Sequence, residues 1–112
     1  MDGWLSLSDD ELLYRIEASA SGPETDAHLI QVVASDRHFF IRQEAAKKIH
    51  DVSLLKSHSA DRHIGQILAR AMNRSEDLEY LAKLAAESRH LEVRKAAEAQ
   101  LRRLERIVKE RT

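Results

Sequence analysis

The sequence predicts an all-α protein, an α-solenoid of about three helical hairpins with a capping helix at its N-terminal end. Composition favours helix, because the chain has one Pro and three Gly and only 4% of its residues are aromatic, too few for a turn-rich β protein. The commonest residues are alanine, leucine, arginine and glutamate, and these lose little side-chain conformational freedom on entering a helix. The third observation is that the sequence resembles itself at a shift of 52 residues. Such repetition is typical of helical repeats, which stack on neighbouring copies to bury their apolar faces.

The first two helices have clear start signals. Ser8-Asp9-Asp10-Glu11 has the pattern of a capping box and predicts a helix from about Asp9 to Ser19. Gly22-Pro23 then interrupts the chain, and a proline suits the first position of the second helix. That helix is expected to end near Asp36.

Five further helices follow from apolar residues at helical spacing. Ser75 is expected to cap the sixth of the seven helices, and the fourth is expected to be short. The apolar residues of the five segments fall within 39–49, 52–55, 64–72, 78–85 and 91–108. In the first of these five segments, we expect one ring of the pair Phe39-Phe40 to enter the core and the other to be exposed.

Three polar triplets mark equivalent turns: Asp36-Arg37-His38, Asp61-Arg62-His63 and Ser88-Arg89-His90. At the shift of 52 residues, the first triplet falls on the third, and Ile41-Arg42 falls on Val93-Arg94. The middle triplet precedes the third by 27 residues and aligns only with a two-residue deletion. The interpretation is one domain, 1–112. It contains an N-terminal segment and capping helix (1–22), repeat 1 (23–50), a short repeat 2 (51–73), and repeat 3 with an extended last helix (74–112).

The turn-and-helix stretches DRHFFIRQEAA (36–46) and SRHLEVRKAA (88–97) resemble the HEAT-like repeat, in the short form named after phycobilisome lyases. The resemblance covers residues from about 25 to 104 and implies a right-handed solenoid. In that family, the acid of the turn and the arginine of the following helix commonly bond between adjacent repeats. The resemblance therefore implies structural, inter-repeat polar roles for Asp36, Arg42, Asp61 and Arg94.

The triplets allow three interpretations. Turns favour short polar residues, and repeats inherit them from one ancestor, so the triplets can be corners of a scaffold. Alternatively, the pairs Arg37-His38, Arg62-His63 and Arg89-His90 form a strip that recognises an acidic segment or phosphates. A metal site is disfavoured, because packed helices lie about 10 Å apart and ligands at about 2 Å from one metal cannot span three turns. No metal site and no cofactor are expected.

Two apolar features outside the triplets are further candidates for partner binding. Trp4 stands before the first helix, where it can either plug the first repeat or protrude as an anchor. Leu104, Ile107 and Val108 continue an apolar stripe beyond the third repeat, where no following hairpin is expected to cover them.

Charge and motifs narrow the function. The net charge is −1, distributed as −6 over residues 1–34, +1 over 35–87 and +4 over 88–112. No phosphate loop, nucleophile motif or cysteine is present, so we expect no enzyme. The leading hypothesis is a cytoplasmic protein-protein interaction scaffold in a bacterial assembly, with no membrane partner. Nucleic-acid or phosphate-backbone binding through a basic helical face is the alternative. The residues available for that face are Arg37, Arg42, Lys47, Lys48, Arg70, Arg74, Arg89, Arg94 and Lys95. A homo-oligomer through the first or last helix is a third hypothesis.

Overall fold

Every regular element is a helix in the computed structural model, which describes residues 3–111 and the side chains of residues 3–110. The predicted all-α class is therefore confirmed. The ends of the predicted segments 1–22 and 74–112 lie outside the described residues. The α-helices of the described chain are α1 (Asp9–Ala18), α2 (Pro23–Ala34), α3 (Phe39–Lys48), α4 (Arg62–Ala71), α5 (Leu78–Glu87) and α6 (Leu91–Arg111). Short 3-10 helices span Trp4–Ser6, Val52–His58 and Ser75–Asp77.

The start signals of α1 and α2 act as predicted. The Ser8 hydroxyl accepts a hydrogen bond from the Glu11 backbone N–H at 3.3 Å, and the Ser8 N–H donates to the Glu11 carboxylate at 3.4 Å. These reciprocal bonds satisfy two amides that the first turn leaves without helical partners. Pro23 is the first residue of α2, and Gly22 before it has a φ of 156°, a region that side chains disfavour.

Two elements of the structure differ in detail from their predictions. The short fourth helix is a 3-10 helix, Val52–His58, with only Leu55 buried. The expectation that Ser75 caps the sixth helix is wrong, because Ser75 lies inside a 3-10 turn and α5 begins only at Leu78. The Asp77 carboxylate accepts the Arg74 N–H at 3.1 Å and so closes the 3-10 helix, while it makes no side-chain cap bond to α5.

The chain divides into two compact units, with the boundary between His58 and Ser59. In the N-terminal unit, α3 packs against both α1 and α2; in the C-terminal unit, α6 packs against both α4 and α5. Each unit has a core of buried aliphatic side chains. The third helix of each unit is therefore the one that holds the other two together.

The two units bury corresponding residues. At the shift of 52 residues, the following pairs are buried in both units: Leu12 and Ile64, Ile16 and Leu68, Leu29 and Leu81, Val32 and Leu84, Ile41 and Val93, and Ala45 and Ala97. The correspondence thus includes α1 and α4 as well as the two later helices of each unit. The finer division into three hairpins stays a prediction.

Asp26 is a buried acid with a structural role. Its carboxylate accepts the backbone N–H groups of His50 and Asp51 at 2.8 and 2.9 Å. These bonds tie α2 to the chain that leaves α3. Burying a carboxylate is costly without such partners, and hydrogen bonds to the charged form offset the cost.

Gly65 lets α4 approach α6 closely. A Cβ atom at this position would lie 2.8 Å from the carbonyl oxygen of Ser59 and 2.8 Å from Cγ2 of Val93. Since Val93 is fully buried in α6, the missing side chain is what permits the contact between the two helices.

Candidate protein-binding surfaces

The arginine of the first triplet fastens the N-terminal segment to its unit. Arg37 Nη1 donates to Asp9 Oδ1 at 2.7 Å, and Nη2 donates to the carbonyl oxygens of Leu5 and Leu7, each at 2.7 Å. Its side chain is 19% exposed. The planar guanidinium can satisfy three acceptors at once, so this arginine has an internal structural role.

The other two residues of the first triplet lie at the surface. His38 caps α3, because its Nδ1 accepts the Phe40 N–H at 3.2 Å. The His38 ring also packs on the Phe39 ring, with centroids 4.4 Å apart. Asp36 is exposed at the turn.

The second and third triplets meet around Glu92 in the C-terminal unit. Arg62 Nε lies 3.6 Å from Glu92 Oε2, and His90 Nε2 lies 3.0 Å from the carbonyl oxygen of Ala60. A backbone hydrogen bond at Glu92 itself holds the pKa of this exposed carboxyl below its ordinary value of 4.5, with smaller contributions from the charges of Arg62, His90 and His63. Two of the three triplets are therefore brought together, within one unit.

Three of the four residues that the resemblance assigned to inter-repeat bonds make hydrogen bonds within their own unit. The Asp61 carboxylate caps α4 by accepting the N–H groups of His63 and Ile64 at 2.8 and 3.0 Å. Arg42 Nε donates to the Val33 carbonyl at 2.7 Å, and Arg94 Nη1 donates to the Ser88 carbonyl at 2.8 Å. In these bonds, each helix arginine holds the end of the helix before it; bonds between adjacent repeats stay a prediction.

Arg89 lies on the surface of the C-terminal unit. Its side chain is exposed and lines an open cavity of about 310 Å³ together with Tyr80 and Lys83. Arg89 therefore differs from Arg37, although the two occupy equivalent turns.

Trp4 is packed inside the N-terminal unit. Its side chain is 8% exposed, and its ring stacks on that of His28 with centroids 4.9 Å apart and planes parallel. Of the two predicted alternatives, the buried position fits a Trp4 that packs inside its own unit, and it does not fit a Trp4 that protrudes to bind a partner. His28 Nδ1 is buried without a hydrogen-bond partner among the described residues.

The predicted C-terminal stripe is graded in exposure. Leu104 is buried, Ile107 is half-buried and Val108 is exposed. Only the last part of the stripe is therefore on the surface.

Exposed aromatic rings lie on the N-terminal unit instead. Phe39 is 47% exposed and Phe40 is 51% exposed, so the expectation that one ring enters the core is wrong. The reason is that α3 buries Ile41, Ala45 and Ala46, and both rings precede this face in the first turn. Tyr14 on α1 is 71% exposed. Hydrophobicity alone predicts that phenylalanine rings are buried. The signal that could have shown both rings to be exposed was the position of the small residues in α3, because these mark its buried face.

A basic groove runs along α4 and α6 in the C-terminal unit. It is open and has a volume of about 480 Å³. Its lining includes Arg70 from α4 and, from α6, Glu92, Lys95, Ala96, Ala99 and Arg103. Three cations thus face one acid, and that acid already interacts with Arg62. Arg70 and Lys95 were among the residues available for the predicted basic helical face, whereas Arg103 and the two alanines were not predicted.

Comparison with family models, curated proteins and solved structures returns no match. Within the described chain, no three histidine or carboxylate side chains lie close enough together to hold one metal ion. No described helix is both long enough and apolar enough to cross a membrane.

Proposed function

We propose that the protein is a non-catalytic protein-protein interaction module, built from HEAT-like helical repeats as a right-handed solenoid of about three hairpins. The observation that carries the proposal is the exposure of the adjacent rings Phe39 and Phe40 at the start of α3. The chain has only two phenylalanines, and both are on its surface. Aromatic residues, phenylalanine among them, are enriched at protein interfaces relative to the rest of the surface.

The position of the two rings supports this proposal. They stand on the first turn of α3, the helix that packs against both other helices of its unit. Phe39 is also packed on the His38 ring, which is itself held by its cap bond to the Phe40 N–H. Rings on a rigid helix lose little conformational entropy when a partner covers them, and this favours affinity.

Capture of partners from the native cell extract tests the proposal. The wild type is compared with Phe39→Ser/Phe40→Ser, after both are shown to be soluble and equally helical by circular dichroism. Leu91→Ser is the matched control, because Leu91 occupies the position equivalent to Phe39 and is also about half exposed. We expect a protein that the wild type and the Leu91 variant retain and that the double variant loses. Equal capture by all three proteins would rule this surface out.

The second candidate function is phosphate-backbone binding, for which the cations of the α4 and α6 groove are the supporting observation. The dependence of binding affinity on salt concentration distinguishes the two functions. Binding to nucleic acid weakens steeply between low and physiological salt, because phosphate contacts release counterions. Binding through the phenylalanine rings changes little over the same range.

A further inference from the structure

The groove of the C-terminal unit has a regular arrangement of charge and small residues. Lys95, Ala99 and Arg103 follow one another at intervals of four residues on α6, so they lie on one side of the helix and its two cations are about 12 Å apart along the axis. Ala96 and Ala99 form part of the lining between the cations. Because alanine side chains are short, another helix can approach α6 closely here, as in other helix-in-groove complexes.

The exposed face of α1 has the complementary arrangement. Asp10, Tyr14 and Glu17 are all exposed and are spaced by four and three residues, which places them in one row along α1. The two carboxylates are about 10.5 Å apart along the axis, and the tyrosine stands between them. The other two acids of α1 have partners within the unit: Asp9 pairs with Arg37, and Glu11 accepts a hydrogen bond from Ser8. The row therefore contains the two acids of α1 that are left for a partner.

We propose that the groove on α4 and α6 of one copy binds the exposed face of α1 from a second copy of this chain. Asp10 and Glu17 pair with Lys95 and Arg103, and the Tyr14 ring covers the alanines between the two cations. The inference extends the proposed function, a binding module, by naming a second copy as one of its partners. Since donor face and groove are different surfaces, the contact is heterologous, and it produces rings or open chains of copies.

Charge favours this occupant over a nucleic acid. Three cations in a short groove can neutralise only a few phosphates, and affinity for a backbone grows with the number neutralised. Glu92 in the lining also repels phosphate. Among the lining residues there is no aromatic side chain on which a base could stack. An acidic helix needs only the two cations at matching spacing.

A concentration series of solution mass at low salt tests the proposal. We expect the apparent mass of the wild type to rise above the 12.8 kDa of one copy as concentration increases. Asp10→Lys/Glu17→Lys and Lys95→Glu/Arg103→Glu should each weaken this association by about tenfold or more, because each places like charges against one another. Glu24→Lys/Glu79→Lys is the control for Asp10→Lys/Glu17→Lys, with the same change in net charge at exposed acids on α2 and α5, and it should associate as the wild type does.

Mixing the two swapped variants provides the decisive comparison. At concentrations where the wild type associates, each variant alone is expected to remain mostly at the mass of a single copy, whereas the mixture should associate again. In the mixture, the lysines of one variant face the glutamates of the other, and the unaltered α1 face of the second variant faces the unaltered groove of the first. Restored association cannot be explained by misfolding. A wild type that stays at the mass of one copy, or a mixture that does not associate, would overturn the inference. Retention of a single-stranded or duplex oligonucleotide, lost in Lys95→Glu/Arg103→Glu, would assign the groove to phosphates instead. These outcomes leave the Phe39 and Phe40 test unaffected, so the two proposals fail separately.

Discussion

At the scale of single residues, the same arginine serves different purposes in equivalent turns. Arg37 is held by Asp9 and by two carbonyl oxygens of the N-terminal segment, whereas Arg89 lies exposed on the rim of a cavity. The difference comes from the neighbours, because the first triplet has the Trp4–Ser6 segment beside it. A repeated residue type is therefore no guide to a repeated role.

Replacing Arg37 should destabilise the N-terminal unit. Arg37→Gln removes the charge and the planar fork, and leaves the carbonyl groups of Leu5 and Leu7 short of a donor. We expect the free energy of unfolding to fall by about 1–3 kcal/mol, measured by urea denaturation.

Arg89→Gln is the matched control, and it should change the free energy of unfolding by no more than about 0.5 kcal/mol, as is usual for exposed sites. Equal losses in the two variants would contradict the assigned difference between the turns.

Glu92 should make a small contribution to stability that depends on pH. Its pKa is lower in the folded protein than its ordinary value of 4.5, first through its backbone hydrogen bond and then through Arg62, His90 and His63. The contribution is therefore complete above about pH 4.5 and is lost as the pH falls through the lowered folded pKa. Glu92→Gln should be less stable than the wild type at neutral pH, and the difference should vanish in acid. An NMR titration of the Glu92 carboxyl should give a midpoint below 4.5, and a midpoint at or above that value would refute the assignment.

Sequence reasoning succeeded for local contacts and failed for distant ones. The Ser8 capping box joins residues three positions apart, so its pattern is visible in the sequence. The partners of Arg37 lie 28 to 32 residues away, and no local pattern indicates them. That Arg70 of α4 and Lys95 and Arg103 of α6 line one groove was not predicted for the same reason, since the two helices contribute them jointly.

At the scale of helices, close packing in the C-terminal unit depends on Gly65. The resemblance to the HEAT-like repeat did not foresee this contact, because it appears only once α4 lies against α6 at Val93. Helix positions were predicted well by apolar spacing, while the type of the helix at Val52–His58 was not. One buried leucine in seven residues provides little packing to favour an α-helix there.

Gly65→Ala should therefore destabilise the protein, even though alanine is the better helix former. The added methyl group would press on a backbone carbonyl and on a buried valine, a strain that costs about 1–3 kcal/mol. Part of this is offset by helix propensity, worth up to about 1 kcal/mol. Thermal unfolding should show a lowered midpoint. Gly3→Ala, where nothing lies within 4 Å of the added Cβ atom, should leave the midpoint nearly unchanged; an unchanged midpoint in Gly65→Ala as well would show that α4 can move away from α6.

At the scale of the whole molecule, the chain consists of two units with corresponding buried positions. The shift of 52 residues was visible in the sequence for α2 with α5 and for α3 with α6. The match of α1 with α4 was not recognised, because Leu12 and Ile64, or Ile16 and Leu68, are different aliphatic residues that fill equivalent buried sites. The surfaces diverged further, since Phe40 and Tyr14 in one unit correspond to Glu92 and Gln66 in the other.

Photo-crosslinking in cells tests whether the exposed rings of α3 form a protein-binding surface. A photoreactive phenylalanine analogue is placed at Phe40 in cells, with Glu79, an exposed residue of α5, as the control position. We expect one or a few discrete adducts with another protein from position 40 and none of the same mass from position 79. No adduct from position 40, or identical adducts from both positions, would mean that the rings are not a binding surface.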